Sequence, residues 1–173
     1  MISSRWSSKF LIARSFLVRD PLNYRPSLVD LLRPSIQTLK HIVIDVDVDI
    51  DDVDPLFGIP SELEEMRSNN IIETVTIGIL FQTDVYCQQG DDWGRLDEAL
   101  TAPGWLSLKQ VSLVIEFASF SRSDEDDELL EIALRKLPET QFSRLSSSTS
   151  ISFDFDVINI DFGLGDVTRY LYI

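Results

Sequence analysis

Six aspartates between residues 45 and 54 form the most conspicuous group of potential metal ligands in the sequence. They are Asp45, Asp47, Asp49, Asp51, Asp52 and Asp54. Hard cations such as Ca²⁺ bind clustered carboxylate oxygens, which makes Asp47, Asp49 and Asp51 candidate metal ligands. The EF-hand template fails, because a loop starting at Asp47 has Asp52 at its glycine position and Gly58 at its bidentate glutamate position.

The aspartate run is open to two further interpretations. Asp45-Val-Asp47 has the letters of the Asp-x-Asp pair that holds a metal in sugar-nucleotide transferases. This pattern suggests a divalent-metal-binding protein, or a metal-dependent enzyme that uses the Asp45–Asp54 cluster. Alternatively, the carboxylates lie on the solvated face of a strand and in the loop after it, where mutual repulsion keeps the sheet soluble.

Other catalytic chemistry has little support in the residue types present. The chain has one histidine and one cysteine, His41 and Cys87, which excludes a site with two imidazoles and an intramolecular disulfide. Zinc would need two more Cys or His ligands. A Cys–His dyad would require the start of one strand to meet a distant loop. No phosphate-binding, nucleophile-elbow or zincin motif occurs, so we predict no cofactor and no enzymatic activity.

The net charge narrows the class of partner. The 29 acidic and 15 basic residues give −14 at neutral pH, which argues against nucleic acid and anionic membranes as partners. The charge is uneven, because residues 1–40 contain seven basic and two acidic residues and sum to +5. Residues 41–173 therefore sum to −19. Such an asymmetry suggests two segments with different partners.

Residues 1–26 are predicted to form a basic N-terminal segment, and residues 27–173 a single α/β repeat-like domain. The first 19 residues contain no acid and interleave arginines with apolar residues, as a mitochondrial presequence does. The segment could also be a truncated element of a larger domain, or a basic helix packed on the acidic body. No apolar run approaches the roughly 18 residues of a membrane span. We therefore expect an intracellular protein, cytoplasmic or nuclear, with mitochondrial import as the alternative.

Four segments have the alternation of half-buried strands. They are residues 41–50, 72–81, 109–117 and 150–157. Helical patterns precede or separate them: one from Ser27 to about residue 38, interrupted by Pro34, and one from a capping box at Ser61 to about residue 68. The next begins at Asp91 or Asp92 and ends at Pro103-Gly104.

The last helical pattern begins with an acidic run. Ser123 is its predicted cap, and residues 124–128 load the first turn with acid, which complements the helix dipole. This run is alternatively a docking site for a basic partner. The apolar stripe of the helix is Leu130, Ala133, Leu134 and Leu137, followed by Pro138.

The element order predicts parallel strands with helical crossovers. A doubly wound sheet would have continuously apolar strands, whereas these strands alternate. Asp45, Asp47 and Asp49 fall on one face of the first strand, and Asp154 and Asp156 fall on one face of the last. One open face and one helix-covered face are the geometry of a leucine-rich-repeat solenoid.

Three phrases of the sequence also carry a family resemblance. They are Leu31-Leu-Arg-Pro-Ser-Ile-Gln-Thr-Leu-Lys-His-Ile42, Trp93-Gly-Arg-Leu-Asp-Glu-Ala-Leu100 and Leu106-Ser-Leu-Lys-Gln-Val-Ser-Leu113. Together they resemble the irregular leucine-rich repeats of fungal F-box-type proteins over about residues 28–158. The resemblance implies a substrate-recognition role in a ubiquitin ligase. No F-box is recognisable, since residues 21–26 do not match one.

Three hypotheses for function follow. The first is a non-enzymatic protein-interaction module that binds a basic protein partner through an acidic sheet face made of Asp45, Asp47, Asp49, Asp154 and Asp156. The second is metal binding or metal-dependent catalysis at the Asp45–Asp54 cluster. The third is a gene fragment without independent activity.

Overall fold

A computed structural model of the chain describes residues 13–17, 27–48, 54–82, 90–118 and 124–160. Five strands form one parallel sheet in which each strand pairs with the next one along the chain. The strands are β1 (Ala13–Leu17), β2 (His41–Val48), β3 (Thr74–Gln82), β4 (Gln110–Ala118) and β5 (Ser152–Asn159).

The predictions of β2, β3, β4 and β5 are confirmed, with ends that differ by at most two residues. β1 was not predicted, and it lies within the basic segment 1–26. It is only five residues long and contains an arginine, so its sequence has no run of alternating residues from which a strand could be inferred. Its pairing with β2 stabilises it in the sheet.

Helices occupy the connections between the strands. They are α1 (Leu28–Leu32), α2 (Ile59–Met66), α3 (Asp92–Thr101), α4 (Asp124–Arg135), α5 (Leu137–Thr140) and α6 (Ser143–Ser147). The fold is therefore α/β, with a parallel sheet and interleaved helices, as predicted. Among the described helices, none combines the length and the apolar character that a bilayer crossing needs.

The start of α1 is confirmed, and the predicted start of α2 is wrong. The Ser27 hydroxyl accepts a hydrogen bond from the Val29 N–H at 3.2 Å and caps α1. α2 begins two residues before Ser61, because Gly58 reverses the chain at φ 78° and Pro60 favours the first helical turn. The Ser61 hydroxyl instead accepts a hydrogen bond from Arg95.

The later helices differ from prediction in detail. α3 begins at Asp92, and Gly104 follows its end with φ 123°, which is left-handed backbone. In α4 the prediction that Ala133 belongs to the apolar stripe is wrong, because its side chain is exposed. Leu134 is buried, and consecutive helical residues point about 100° apart, so Ala133 is turned out of the stripe. The predicted cap Ser123 lies outside the described residues.

Burial alternates along the strands. Ile42, Ile44 and Val46 of β2 are buried, as are the matching residues of β3 and β4. This buried face, called here the inner face, shares one hydrophobic core with helix residues such as Leu63 and Trp93. Residues of the opposite face, called here the open face, are half-buried or exposed. The alternation therefore reflects one face packed on helices and one left uncovered by them.

Candidate functional site

The open face arranges the predicted partner-binding residues in rows across the sheet. The register places Asp45 of β2, Gly78 of β3, Val114 of β4 and Asp156 of β5 in one row. Asp154 lies in the next row. With strands about 4.8 Å apart, Asp45 and Asp156 are roughly 14 Å from each other across β3 and β4.

The charged residues of β2, β3, β4 and β5 are all acidic, apart from His41. They are Asp45, Asp47, Glu116, Asp154 and Asp156, and none of these four strands contains lysine or arginine. Asp45, Asp154 and Asp156 are exposed and Glu116 is half-buried. Unlike charges would pair and neutralise such a surface, whereas carboxylates alone give it a negative potential. The open face is thus acidic over its described width from β2 to β5.

The Asp45 carboxylate lies above the middle of this face. A Cβ atom added to Gly78 would be 2.9 Å from Asp45 Oδ1, so the absence of a side chain at position 78 makes room for the carboxylate. Because Gly78 has no side chain, the surface of the row between Asp45 and Asp156 is recessed at that position. Sequence reasoning did not single out Gly78, because only the register puts it beside Asp45.

Two acids of β5 have partners within the chain. Asp154 Oδ2 accepts a hydrogen bond from Gln110 Nε2 at 2.9 Å. Asp156 Oδ1 accepts one from the Val157 N–H at 2.9 Å. The bond to Gln110 joins two exposed side chains and leaves the Asp154 carboxylate at the surface. Asp156 is tied to the backbone of its own strand.

The remaining predicted site residues are only partly described. Asp47 pairs through its backbone with Leu80 of β3, which puts it at the same strand parity as Asp45. Asp49 and Asp51 lie outside the described residues, as does Cys87 of the predicted dyad. In the described part of the chain no three His, Cys, Asp or Glu residues are grouped so as to hold a metal ion. The metal site at Asp47, Asp49 and Asp51 stays a prediction.

Glu116 is a face residue that sequence reasoning missed. It stands on β4 at the same parity as Ser112 and Val114, in register with Ile158 of β5. β4 is otherwise uncharged, so one glutamate does not create the conspicuous alternation of the aspartates. Counting alternate positions from Ser112 could have found it.

An ion-pair cluster lies at the end of the sheet where the strands begin. Glu73, just before β3, pairs with Lys40 before β2 and with Lys109 before β4. Hydrogen bonds from these two lysines lower the pKa of Glu73 to about 2. Lysines therefore neutralise the acid at the strand starts, whereas the acids of the open face lie further along the strands.

A second acidic group lies at the opposite, C-terminal side of β2. Asp54, half-buried, accepts a hydrogen bond from the Leu56 N–H at 2.9 Å. Burial raises the pKa of Asp54, and the charges of Asp92 and Asp91 add to that rise. This carboxylate stabilises the turn before α2 through its bond to Leu56. The last aspartate of the run therefore has a structural role.

No protein-family model, curated protein or solved structure matches this chain.

Proposed function

We propose that the chain is a non-enzymatic protein-interaction module that binds a basic protein surface with its open face. The observation that carries the proposal is the charge of that face, since Asp45, Glu116, Asp154 and Asp156 lie on strands without lysine or arginine. A face lined by one sign of charge attracts and orients a partner of the opposite sign. The half-buried Thr76, Gly78, Ser112 and Val114 provide a low floor between the acids.

We further propose that the architecture is a short leucine-rich-repeat-like solenoid with helices on one face. The contacts that α2 and the turn before it make with α1 and α3 share one sequence offset: Leu28 N–H to Glu62 Oε2, Gly58 N–H to Asp92 Oδ2, and Arg95 Nη2 to Ser61 Oγ each join residues 34 positions apart. A constant offset is typical of units that stack in the same orientation. Each unit contributes one strand to an uninterrupted face, which is how such proteins present a binding surface.

The family resemblance supports a narrower form of this proposal. If the chain acts as irregular leucine-rich repeats of F-box-type proteins do, its partner is a substrate recruited to a ubiquitin ligase. This part depends on the three phrases quoted above, and the acidic face depends on the strand register. The two parts can therefore be tested separately.

The test is an affinity purification from native cells with the full chain as bait, read by quantitative mass spectrometry. The face variant combines Asp45→Asn, Glu116→Gln and Asp154→Asn, which removes three charges and keeps the side-chain shapes. The control variant combines Glu64→Gln, Glu65→Gln and Glu139→Gln, three exposed helix residues outside the acidic run 124–128, and changes the net charge equally. A partner of the open face is retained by the control and lost by the face variant.

A steric variant distinguishes contact from long-range attraction. Gly78→Val keeps every carboxylate and places a strand-favouring side chain at the centre of the face. In the described part of the chain, the atoms within 4 Å of an added Cβ belong to the end of the Asp45 side chain rather than to backbone, so we expect the variant to fold. We expect a partner seated on the face to be depleted about tenfold or more by this substitution, since a clash at an interface centre costs more than a rim change.

Equal recovery of every captured protein by the face and control variants would contradict the proposal. Recovery of ubiquitin-ligase components together with a face-dependent partner supports the narrower form. A face-dependent partner without those components supports an interaction module outside ubiquitin ligation.

A further inference from the structure

β5 is the last strand of the sheet in the described part of the chain, and one of its sides does not face β4. Residues in a parallel strand direct their backbone N–H and C=O groups alternately to either side. The N–H groups of Ser152 and Ile160 donate to the Lys109 and Phe117 carbonyls on the β4 side. The odd-numbered residues of β5, Val157 among them, therefore direct their backbone groups away from β4.

Both outward backbone groups of Val157 have side-chain partners. The Asp156 carboxylate accepts a hydrogen bond from the Val157 N–H at 2.9 Å. The Arg135 guanidinium, at the end of α4, donates one to the Val157 carbonyl at 2.9 Å. A new strand would need these same groups for its own ladder.

The Arg135 guanidinium is held in this position from its own helix. Arg135 Nε donates to Glu131 Oε1 at 2.8 Å, one helical turn earlier. A planar guanidinium fixed at Nε has a defined direction for its remaining N–H groups, one of which reaches β5. The contact joins residues 22 positions apart and bonds α4 to the outward side of the strand.

We infer that Arg135 and Asp156 close the outer side of β5 against pairing with a strand of a second copy of this chain. Strand addition requires consecutive outward residues of the edge strand. Because the Val157 backbone groups are already hydrogen-bonded, the remaining outward residues of the described strand are interrupted. Residues 153 and 155 precede Val157, and residue 159 follows it. Neither part reaches the length of an ordinary strand.

This role of Asp156 is additional to the charge that Asp156 contributes to the open face. Its carboxylate is bonded to the strand that carries it, so substituting it changes the strand edge and the surface charge together. For that reason Asp156 is kept unchanged in the face variant of the preceding test. The two inferences can fail independently.

Sedimentation velocity over a concentration series tests whether Arg135 and Asp156 prevent pairing at the outer side of β5. The variants are Arg135→Ala, the double variant Arg135→Ala with Asp156→Ala, and the control Arg144→Ala. Arg144 is an exposed arginine of α6 whose guanidinium pairs with Glu98 of α3 at 2.8 Å. We expect the double variant to show about a twofold rise in weight-average mass with concentration, as pairing through one edge produces a dimer. The control should sediment as the unsubstituted chain does.

A folded double variant, with an unchanged far-ultraviolet circular dichroism spectrum, that sediments as the control does at every concentration would overturn the inference. Hydrogen exchange of the unsubstituted chain gives a second test that does not depend on the variants folding. We expect the Val157 amide to exchange about tenfold or more slowly than in an unstructured peptide, because a charged acceptor holds it. Exchange at the unstructured rate would also overturn it.

Discussion

Three carboxylates of the helix layer accept hydrogen bonds from backbone N–H groups at the starts of neighbouring helices, whereas those of the open face lie on the uncovered side of the sheet. Glu62 of α2 accepts from the Leu28 N–H at the start of α1, and Asp92 of α3 accepts from the Gly58 N–H before α2. Asp97, only 3% exposed, accepts from the N–H groups of Arg144 and Leu145 at 3.0 and 2.8 Å.

The contrast shows that acidic side chains occupy two different environments in this protein, between helices and on the open face of the sheet. The first N–H groups of a helix have no partner within the helix, and an acid from the adjacent unit satisfies them. Such acids hold one helix against the next, and they are buried at Asp92 and Asp97 and half-buried at Glu62. On the open face, Asp45, Asp154 and Asp156 are exposed instead.

The largest effect is expected at Asp97. Asp97→Ala should lower the free energy of unfolding by about 3 kcal/mol, because two N–H groups at the start of α6 lose a charged acceptor in a buried place. Asp97→Asn keeps one acceptor oxygen and should lose about half as much. Urea denaturation followed by circular dichroism measures both. A loss at Asp97→Ala no larger than that of an open-face substitution would remove the distinction between the two regions.

Asp92 should show a smaller effect of the same kind. Its Oδ2 accepts from the Gly58 N–H at 3.2 Å, and its Oδ1 pairs with Arg95 at 2.8 Å. Asp92→Ala should cost about 1.5 kcal/mol in unfolding free energy, since a longer bond and a half-exposed pair are lost. Arg95→Ala removes the same ion pair, together with the bond from Arg95 to Ser61, and leaves the acceptor for Gly58. A loss at Asp92→Ala smaller than that at Arg95→Ala would mean that the bond to Gly58 adds less stability than the bond to Ser61.

Glu73, in the ion-pair cluster at the strand starts, makes stability depend on pH. Its pKa is lowered in the folded chain from 4.5 to about 2 by Lys40 and Lys109, so the folded state favours the charged form. The resulting stabilisation is fully present above about pH 4.5 and is lost as the pH falls towards 2. The urea midpoint of the native chain should exceed that of Glu73→Gln at pH 6, and the difference should shrink by pH 2.5. A constant difference between the two curves would show that Glu73 acts without its charge.

The smallest effect is expected at Asp154 on the open face. This side chain is exposed, and its hydrogen-bond partner on β4, Gln110, is exposed as well. Asp154→Asn should change the unfolding free energy by no more than about 0.5 kcal/mol, as surface substitutions do. Urea denaturation under the conditions used for Asp97 gives the comparison directly. A loss above about 1 kcal/mol would give Asp154 a structural role.

Much of the sheet could be predicted because its signal is local. In β2, alternation of Ile44 and Val46 with Asp45 follows from side chains that point to opposite faces of a strand. The same reasoning placed Asp154 and Asp156 opposite Phe153 and Phe155.

The roles of the helix-layer acids could not be predicted in the same way. Asp97 is 47 and 48 positions from its two donors, Arg144 and Leu145. Nothing local to Trp93-Gly-Arg-Leu-Asp97 indicates these hydrogen bonds. Ser61 shows the reverse error, since a capping box with Glu64 was expected there. The turn at Gly58 started the helix earlier and directed Ser61 to Arg95 of the next unit.

The sequence by itself determined the order of α1 to α4 and β2 to β5, the acidic balance of the body and the parity of the aspartates, because each depends on residues close together in the chain. Only the tertiary structure decided which acids would be buried between units and which would remain on the open face, and that Arg135 would reach the outer side of β5. The reason is register: parallel strands joined by crossovers of unequal length bring together residues that no sequence spacing links in advance.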